Sequence, residues 1–111
     1  MSLDFSLYAE DQDGNEIEVL DKNITHNLGE MAQEAGIYEA LWHPNKFGLA
    51  RAAELVPALE KGLAAMKADP DKYKQYESTN GWGLYRNFVP WVEEVLEGCK
   101  QYPSASIWVS R

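Results

Sequence analysis

The chain has a single cysteine and only two histidines among its 111 residues. Cys99 therefore cannot form an internal disulfide, and because it falls at an apolar position of a helical pattern we expect a buried thiol rather than a nucleophile. Neither His26 nor His43 has a cysteine, aspartate or glutamate at a spacing that is characteristic of zinc sites. The sequence therefore predicts no metal site and no cofactor.

Long apolar runs and catalytic signatures are missing as well. No apolar run approaches the roughly 18 residues that cross a bilayer, and the opening MSLDFSLYAE lacks the basic and apolar regions of a signal peptide. We therefore expect a cytoplasmic protein with no membrane partner. A Walker loop, a nucleophile elbow, a dinucleotide fingerprint and the kinase signatures are absent, which favours a non-enzymatic role without excluding an enzyme.

Basic residues are scarce in the first third of the chain. Residues 1–34 contain nine acidic residues against Lys22 alone, whereas the other 77 residues contain nine acids and nine bases. The whole net charge of −8 is therefore N-terminal, which argues against binding of a phosphate backbone and predicts no nucleic-acid partner. Two interpretations stay open, a solubilising acidic edge and a docking surface for a basic protein partner.

Alternating apolar and polar residues predict strands at both ends of the chain. Leu3, Phe5 and Leu7 alternate with polar neighbours, and an Asp-Gly turn leads into a second alternating segment, so residues 3–21 are expected to form a β-hairpin. An EF-hand is excluded, because aligning Gly14 at position six puts Ala9 first and Leu20 twelfth. After Pro103, alternation over residues 105–109 predicts a third strand.

Helical spacing predicts the segments between the strands. A short helix is expected from Leu28 to Ala35 with its cap at Thr25 or Asn27, and one more buried turn over 37–42. The pattern from Leu49 to Met66 fits a helix that Pro57 either kinks or restarts. Residues 71–77 are expected to form a polar connector or a helical turn, and the segment Asn80-Gly81-Trp82-Gly83 is expected to be a loop. Residues 85–99 have the clearest helical pattern of the chain, despite Pro90.

These elements predict one domain over residues 1–111, of the α+β class. We expect a three-stranded antiparallel sheet, made of the N-terminal hairpin and the C-terminal strand, packed on one face by three to four helices. The last strand is expected to pair beside the first. Tyr8, Leu20 and Trp108 would then share the face away from the helices, where a homodimer is one further possibility.

A polar cluster followed closely by aromatic residues has the composition of a ligand site. This pattern makes a small-molecule or catalytic pocket the alternative to protein binding, with His26 as a candidate general base. For Trp82, between two glycines, we leave open a plug in the protein's own core and an anchor for a partner. The candidate binding residues are Asn23, Thr25, His26, Asn27, Tyr38, Trp42 and Trp82.

The segments NITHNL at 23–28, AGIY at 35–38 with Leu41-Trp42, NGWG at 80–83 and the terminal Val109-Ser110-Arg111 carry a resemblance. Over nearly its whole length the chain resembles a family of small uncharacterised proteins encoded by bacteriophages and prophages. His43 departs from the arginine that the family has after Leu-Trp. The resemblance implies a bacterial host cytoplasm and a phage accessory role, and it transfers no activity, cofactor or active site.

Overall fold

Three antiparallel strands form one sheet in the order β2-β1-β3 in the computed structural model, which describes residues 2–111. The N-terminal hairpin and the C-terminal strand therefore meet as the alternation predicts, and the α+β class is confirmed. The first strand lies in the centre, so it is hydrogen-bonded on both sides. The strands are β1 (Ser2–Glu10), β2 (Glu16–Thr25) and β3 (Ser106–Ser110).

The hairpin turn is held by the side chain of Asp11. Its Oδ1 accepts the backbone amides of Asp13 and Asn15 at 2.8 and 2.9 Å, and the hydrogen bond from Asn15 is the largest cause of its lowered pKa. Gly14 has a φ of +81°, which a residue with a Cβ adopts only at a cost. The Asp-Gly pair thus has the turn role that the sequence predicts.

Five α-helices and three short 3-10 helices connect the second strand to the third. The 3-10 helices span His26–Leu28, Pro44–Phe47 and Ala52–Leu55. A helix with the length and apolar character that a bilayer crossing requires does not occur within residues 2–111. The α-helices are α1 (Gly29–Ala35), α2 (Tyr38–Trp42), α3 (Val56–Ala68), α4 (Pro70–Lys74) and α5 (Tyr85–Gln101).

The core lies between the helices and one face of the sheet, which we call the inner face. Leu3, Phe5 and Leu7 are fully buried on it, and the ring of Phe5 meets that of Trp91 on α5 edge-on, with centroids 6.4 Å apart. Cys99 is also fully buried, as its apolar position in α5 predicts. The apolar residues that alternate along β1 and those that recur every three or four residues along α5 therefore form one hydrophobic cluster.

The prediction that Leu20 lies on the face away from the helices is wrong. Leu7 pairs with Leu20 and Tyr8 pairs with Glu18, so Val19 is an extra residue that forms a β-bulge. Leu20 consequently lies on the inner face, where a Cβ at Gly98 of α5 would be 3.1 Å from its Cδ2. Tyr8 and Trp108 do lie on the other face, as predicted. Tyr8 is directly opposite Ser106, and Trp108 is directly opposite Ser6.

Two predicted boundaries also differ from the structure. The second strand continues to Thr25 instead of ending at residue 21. The third helix begins at Val56 rather than at Leu49, so Pro57 lies in its first turn, where the missing amide costs nothing. Arg51 is extended and forms a β-bridge with Ser106, an interaction with a distant strand that helical spacing cannot reveal.

Candidate functional site

Four rings meet beside α2, and we call them the aromatic cluster: His26, Tyr38, Trp42 and His43. The indole Nε1 of Trp42 donates to Nδ1 of His26 over 2.9 Å. Tyr38 and Trp42 are one helical turn apart, and their rings stack with centroids separated by 5.2 Å. Three of the predicted site residues therefore do lie together, as neighbours in direct contact.

His43 completes the cluster, although sequence reasoning gave it no site role. Its Nε2 lies 3.3 Å from the Tyr38 hydroxyl, and its Nδ1 is buried without a hydrogen-bond partner among residues 2–111. Burial lowers the pKa of His43, and the nearby charges of Arg111 and Lys46 lower it further. The arrangement favours a neutral imidazole that packs against Tyr38.

The other predicted residues point elsewhere. The Asn23 amide donates to Ser2 Oγ at 2.9 Å and to Asp4 Oδ1 at 2.5 Å, so its side chain lies with the polar residues of the sheet. Thr25 caps the first 3-10 helix by accepting the amide of Asn27 at 3.2 Å. Both side chains are therefore used in local structure.

Trp82 contacts the predicted site through its backbone rather than its ring. Asn27 Nδ2 donates to the Trp82 carbonyl over 3.3 Å, and a Cβ at Gly83 would be 3.0 Å from Asn27 Cβ. The Trp82 side chain itself is 67% exposed. Of the two interpretations of this residue, a plug in the protein's own core is therefore wrong. The chain holds this loop close to Asn27 and leaves the indole in solvent.

The seven predicted residues thus form one contact group of three, His26, Tyr38 and Trp42, with the other four in separate local contacts. A cavity of about 730 Å³ lies at one end of the sheet, and a smaller one, of about 230 Å³, lies beside β3. Neither is lined by any of the seven residues. A ligand site on His26 and Asn27 therefore stays a prediction.

The face of the sheet away from the core, which we call the outer face, is strongly acidic. The strand register places five exposed carboxylates on it, from Asp4, Glu10, Glu16, Glu18 and Asp21. Lys22 is the one lysine or arginine within the three strands, and it pairs with Phe5 on the inner face, where it bonds to Glu94 of α5. The strands thus contribute no cation to the outer face.

Two aromatic side chains stand among these carboxylates. Trp108 is opposite Ser6 in the register and is 54% exposed, while Tyr8 is half-buried. Ser6 between them is buried, and its hydroxyl lies 3.3 Å from Glu18 Oε1 and 3.4 Å from Asp21 Oδ1. One hydroxyl proton can satisfy only one of these acceptors at a time, so the two carboxylates keep most of their hydrogen-bonding capacity.

Arg51 is the functional candidate that the sequence did not suggest. Its Nη1 donates to Ser106 Oγ at 2.8 Å and to the Ser104 carbonyl at 3.3 Å. The bridge to Ser106 brings it to the border of the outer face. The sequence signal was weak, since a single arginine next to an apolar helical pattern is usually a solvated helix residue.

Comparison of the chain with protein-family models, with curated proteins and with solved structures gave no match.

Proposed function

We propose that the chain is a non-enzymatic protein-interaction domain that binds a basic segment of a partner protein on its outer face. The observation that carries this proposal is the set of five carboxylates on strands that contribute no outward cation. Complementary charge speeds encounter and excludes wrong partners. A lysine- or arginine-rich segment supplies the charge that this face lacks.

The aromatic residues support the same proposal. Protein interfaces are enriched in tryptophan, tyrosine and arginine, and a few such residues carry most of the binding energy. Trp108 presents an exposed indole beside the carboxylates of the face. A basic side chain that lies across it would gain cation–π attraction in addition to the ionic contacts.

Charge also argues against other occupants of this face. A two-fold symmetric dimer through it would set the carboxylates of two copies against each other, which is unfavourable for directly opposed like charges. A phosphate backbone would meet the same repulsion. We therefore propose a basic protein rather than a second copy or a nucleic acid.

For the biological setting we propose a phage or prophage accessory role in the bacterial cytoplasm. The support is the likeness of the NITHNL, AGIY and NGWG segments to small phage-encoded proteins. A partner in that setting would be a basic protein of the host or the phage.

The test is a titration with a fluorescein-labelled oligolysine peptide of about 12 residues, followed by anisotropy. In the variant Glu16→Gln/Glu18→Gln/Asp21→Asn we expect binding at least about tenfold weaker than in the wild type, since three attractive charges are lost. The dependence of Kd on salt should become shallower in the same variant.

A matched control separates the face from the overall charge. The variant Glu30→Gln/Asp71→Asn/Glu97→Gln removes three exposed carboxylates from helices and has the same net charge as the sheet variant. We expect it to bind as the wild type does, within about twofold. Equal loss in both triple variants would mean attraction to the protein as a whole, and the proposal would fail.

A further inference from the structure

The larger cavity, of about 730 Å³, opens at the end of the sheet where β1 ends and β2 and β3 begin. Its volume is within the range of roughly 300–1,000 Å³ that is usual for ligand pockets. The connection from α5 to β3, residues 102–105, closes one side together with the adjoining ends of α5 and β3. Tyr8 and Glu16 line it and also belong to the outer face, so the cavity and the proposed binding face are continuous.

One wall of the cavity has an arginine with unused donors. Nη1 of Arg51 bonds to Ser104 and Ser106, and Arg51 forms no ion pair with a carboxylate of residues 2–111. The Glu54 carboxylate, its nearest acidic neighbour along the chain, accepts the backbone amides of Ala50 and Arg51 instead. Both hydrogens of Nη1 are therefore used, and Nε and Nη2 form the fork that remains available to a ligand carboxylate.

The opposite wall has two exposed carboxylates without a cationic partner in the described part of the chain. Glu10 and Glu16 are directly opposed across β1 and β2 and line the same cavity. Opposed like charges destabilise a strand pair. A positive group placed between them would relieve this repulsion.

The sheet keeps the two walls apart and fixes their order. Arg51 pairs with Ser106, Ser106 with Tyr8, and Tyr8 with Glu18, so one row crosses the sheet from Arg51 to β2, where the cavity-lining Glu16 lies two residues from Glu18. With strands roughly 4.8 Å apart, the backbones at the two ends of this row are about 14 Å apart. A ligand that fits must therefore present an anion at one end and a cation at the other, with the Tyr8 ring between.

We propose that this cavity receives the C-terminal residue of the basic partner segment, with its α-carboxylate on Arg51 and its lysine or arginine side chain between Glu10 and Glu16. A residue of this kind has both charges on one unit and is long enough to span much of the row. The inference rests on the proposed function, because it concerns the end of the segment that the outer face binds. Capture of a terminal carboxylate is a known mode of peptide recognition.

The test compares two labelled peptides of identical basic sequence that end in arginine, one with a free carboxylate and one with a C-terminal amide. The amide lacks the negative carboxylate and is therefore one unit more positive in net charge, so general attraction to an acidic protein favours it. We expect the reverse order, with the free acid binding about tenfold more tightly, since a bidentate contact with arginine is lost in the amide.

Two arginine variants locate the effect. Arg51→Gln should remove the preference for the free acid, with folding checked by circular dichroism. Arg86→Gln makes the same charge change far from the cavity, because Arg86 lies roughly 22 Å along α5 from Gln101, which lines the cavity. This variant should keep the preference for the free acid. If Arg51→Gln does not fold, the comparison of the two peptides on the wild type still decides, because the absence of a preference overturns the proposal.

The outcomes separate this inference from the proposed function. If neither peptide binds, the proposed function itself fails. If both bind equally and the Glu16/Glu18/Asp21 variant loses both, the face binds basic segments but the cavity does not read their ends. Displacement by free L-arginine as effective as displacement by unlabelled peptide would also overturn the proposal, since the cavity would then be a small-molecule site.

Discussion

The indole nitrogen of Trp42 donates a hydrogen bond to Nδ1 of His26 over 2.9 Å, and this contact joins α2 to the 3-10 helix that follows the sheet. Trp42 is only 2% exposed, so water cannot replace the imidazole as acceptor. Because Nδ1 accepts, the proton of the neutral ring is on Nε2. A buried donor and its one acceptor thus hold two short helices together.

We predict that Trp42→Phe lowers the free energy of unfolding by about 2–4 kcal/mol, because it removes buried volume and leaves His26 without its donor. Urea denaturation followed by circular dichroism measures the change. Trp82→Phe is the matched control, since that side chain is 67% exposed, and it should change stability by less than about 0.5 kcal/mol. Similar losses in the two variants would contradict the burial of Trp42 and the exposure of Trp82.

Two helical glycines should respond differently to alanine. A Cβ at Gly62 would be 2.4 Å from Ile37 Cγ2 and 3.2 Å from the carbonyl oxygen of Ala35, whereas at Gly98 the tightest contact is 3.1 Å, to the tip of Leu20. The Ile37 methyl is attached to the β-carbon and the Ala35 oxygen belongs to the backbone, so neither can move aside as the end of a leucine side chain can. We expect Gly62→Ala to destabilise by about 1–3 kcal/mol, even after the gain of roughly 1 kcal/mol in helix propensity.

For Gly98→Ala the same propensity gain should offset the small shift of Leu20, so we expect a change within about 1 kcal/mol of zero. Thermal unfolding of both variants against the wild type measures the contrast. An equal effect at the two positions would mean that a Cβ fits as easily at Gly62 of α3 as at Gly98 of α5. That result would contradict the close approach of Ile37 to Gly62.

The pH dependence of stability should include a contribution from His43. Burial lowers its pKa below the ordinary 6.5, with Arg111 and Lys46 acting in the same direction and Glu39 against them. The folded state then binds fewer protons than the unfolded state, so this contribution is fully present above about pH 6.5 and is lost as the pH falls through that value towards the folded pKa. Acidification should therefore destabilise the fold through His43.

His43→Gln isolates this effect because it keeps a polar group near Tyr38 and cannot be protonated. We expect the wild type to lose more unfolding free energy than the variant between about pH 7.5 and about pH 5, while the carboxylates titrate alike in both. Urea unfolding at the two pH values gives the difference. Parallel losses would show that His43 does not couple to folding.

Local sequence patterns predicted the parts of the fold in which buried residues recur at a regular spacing along the chain. Leu3, Phe5 and Leu7 alternate because one face of β1 meets the core, and α5 keeps its apolar stripe for the same reason. These spacings depend on neighbours in sequence, which a single chain displays directly. The predicted pairing of β3 beside β1 is also confirmed by the sheet order.

The features that define the candidate site depend on contacts between distant residues. An extra residue at Val19 reverses the side on which Leu20 lies, and nothing in the local alternation marks that bulge. Arg51 is placed by a bridge to Ser106, 55 positions later. The excess of acidic residues is visible in the sequence. Only the strand register shows that these residues concentrate on one face of the sheet.

Cys99 should be close to inert in the folded protein. It is fully buried in α5, and burial raises its pKa to about 11. At pH 8 a thiol of that pKa is about one part in a thousand thiolate, compared with roughly a quarter for an unfolded cysteine of pKa about 8.5. Because the thiolate is the reactive form, modification by Ellman's reagent should be at least about 100-fold slower in native buffer than in concentrated urea. The single cysteine makes the absorbance change unambiguous, and rapid reaction without denaturant would place the thiol at the surface and contradict the packing of α5.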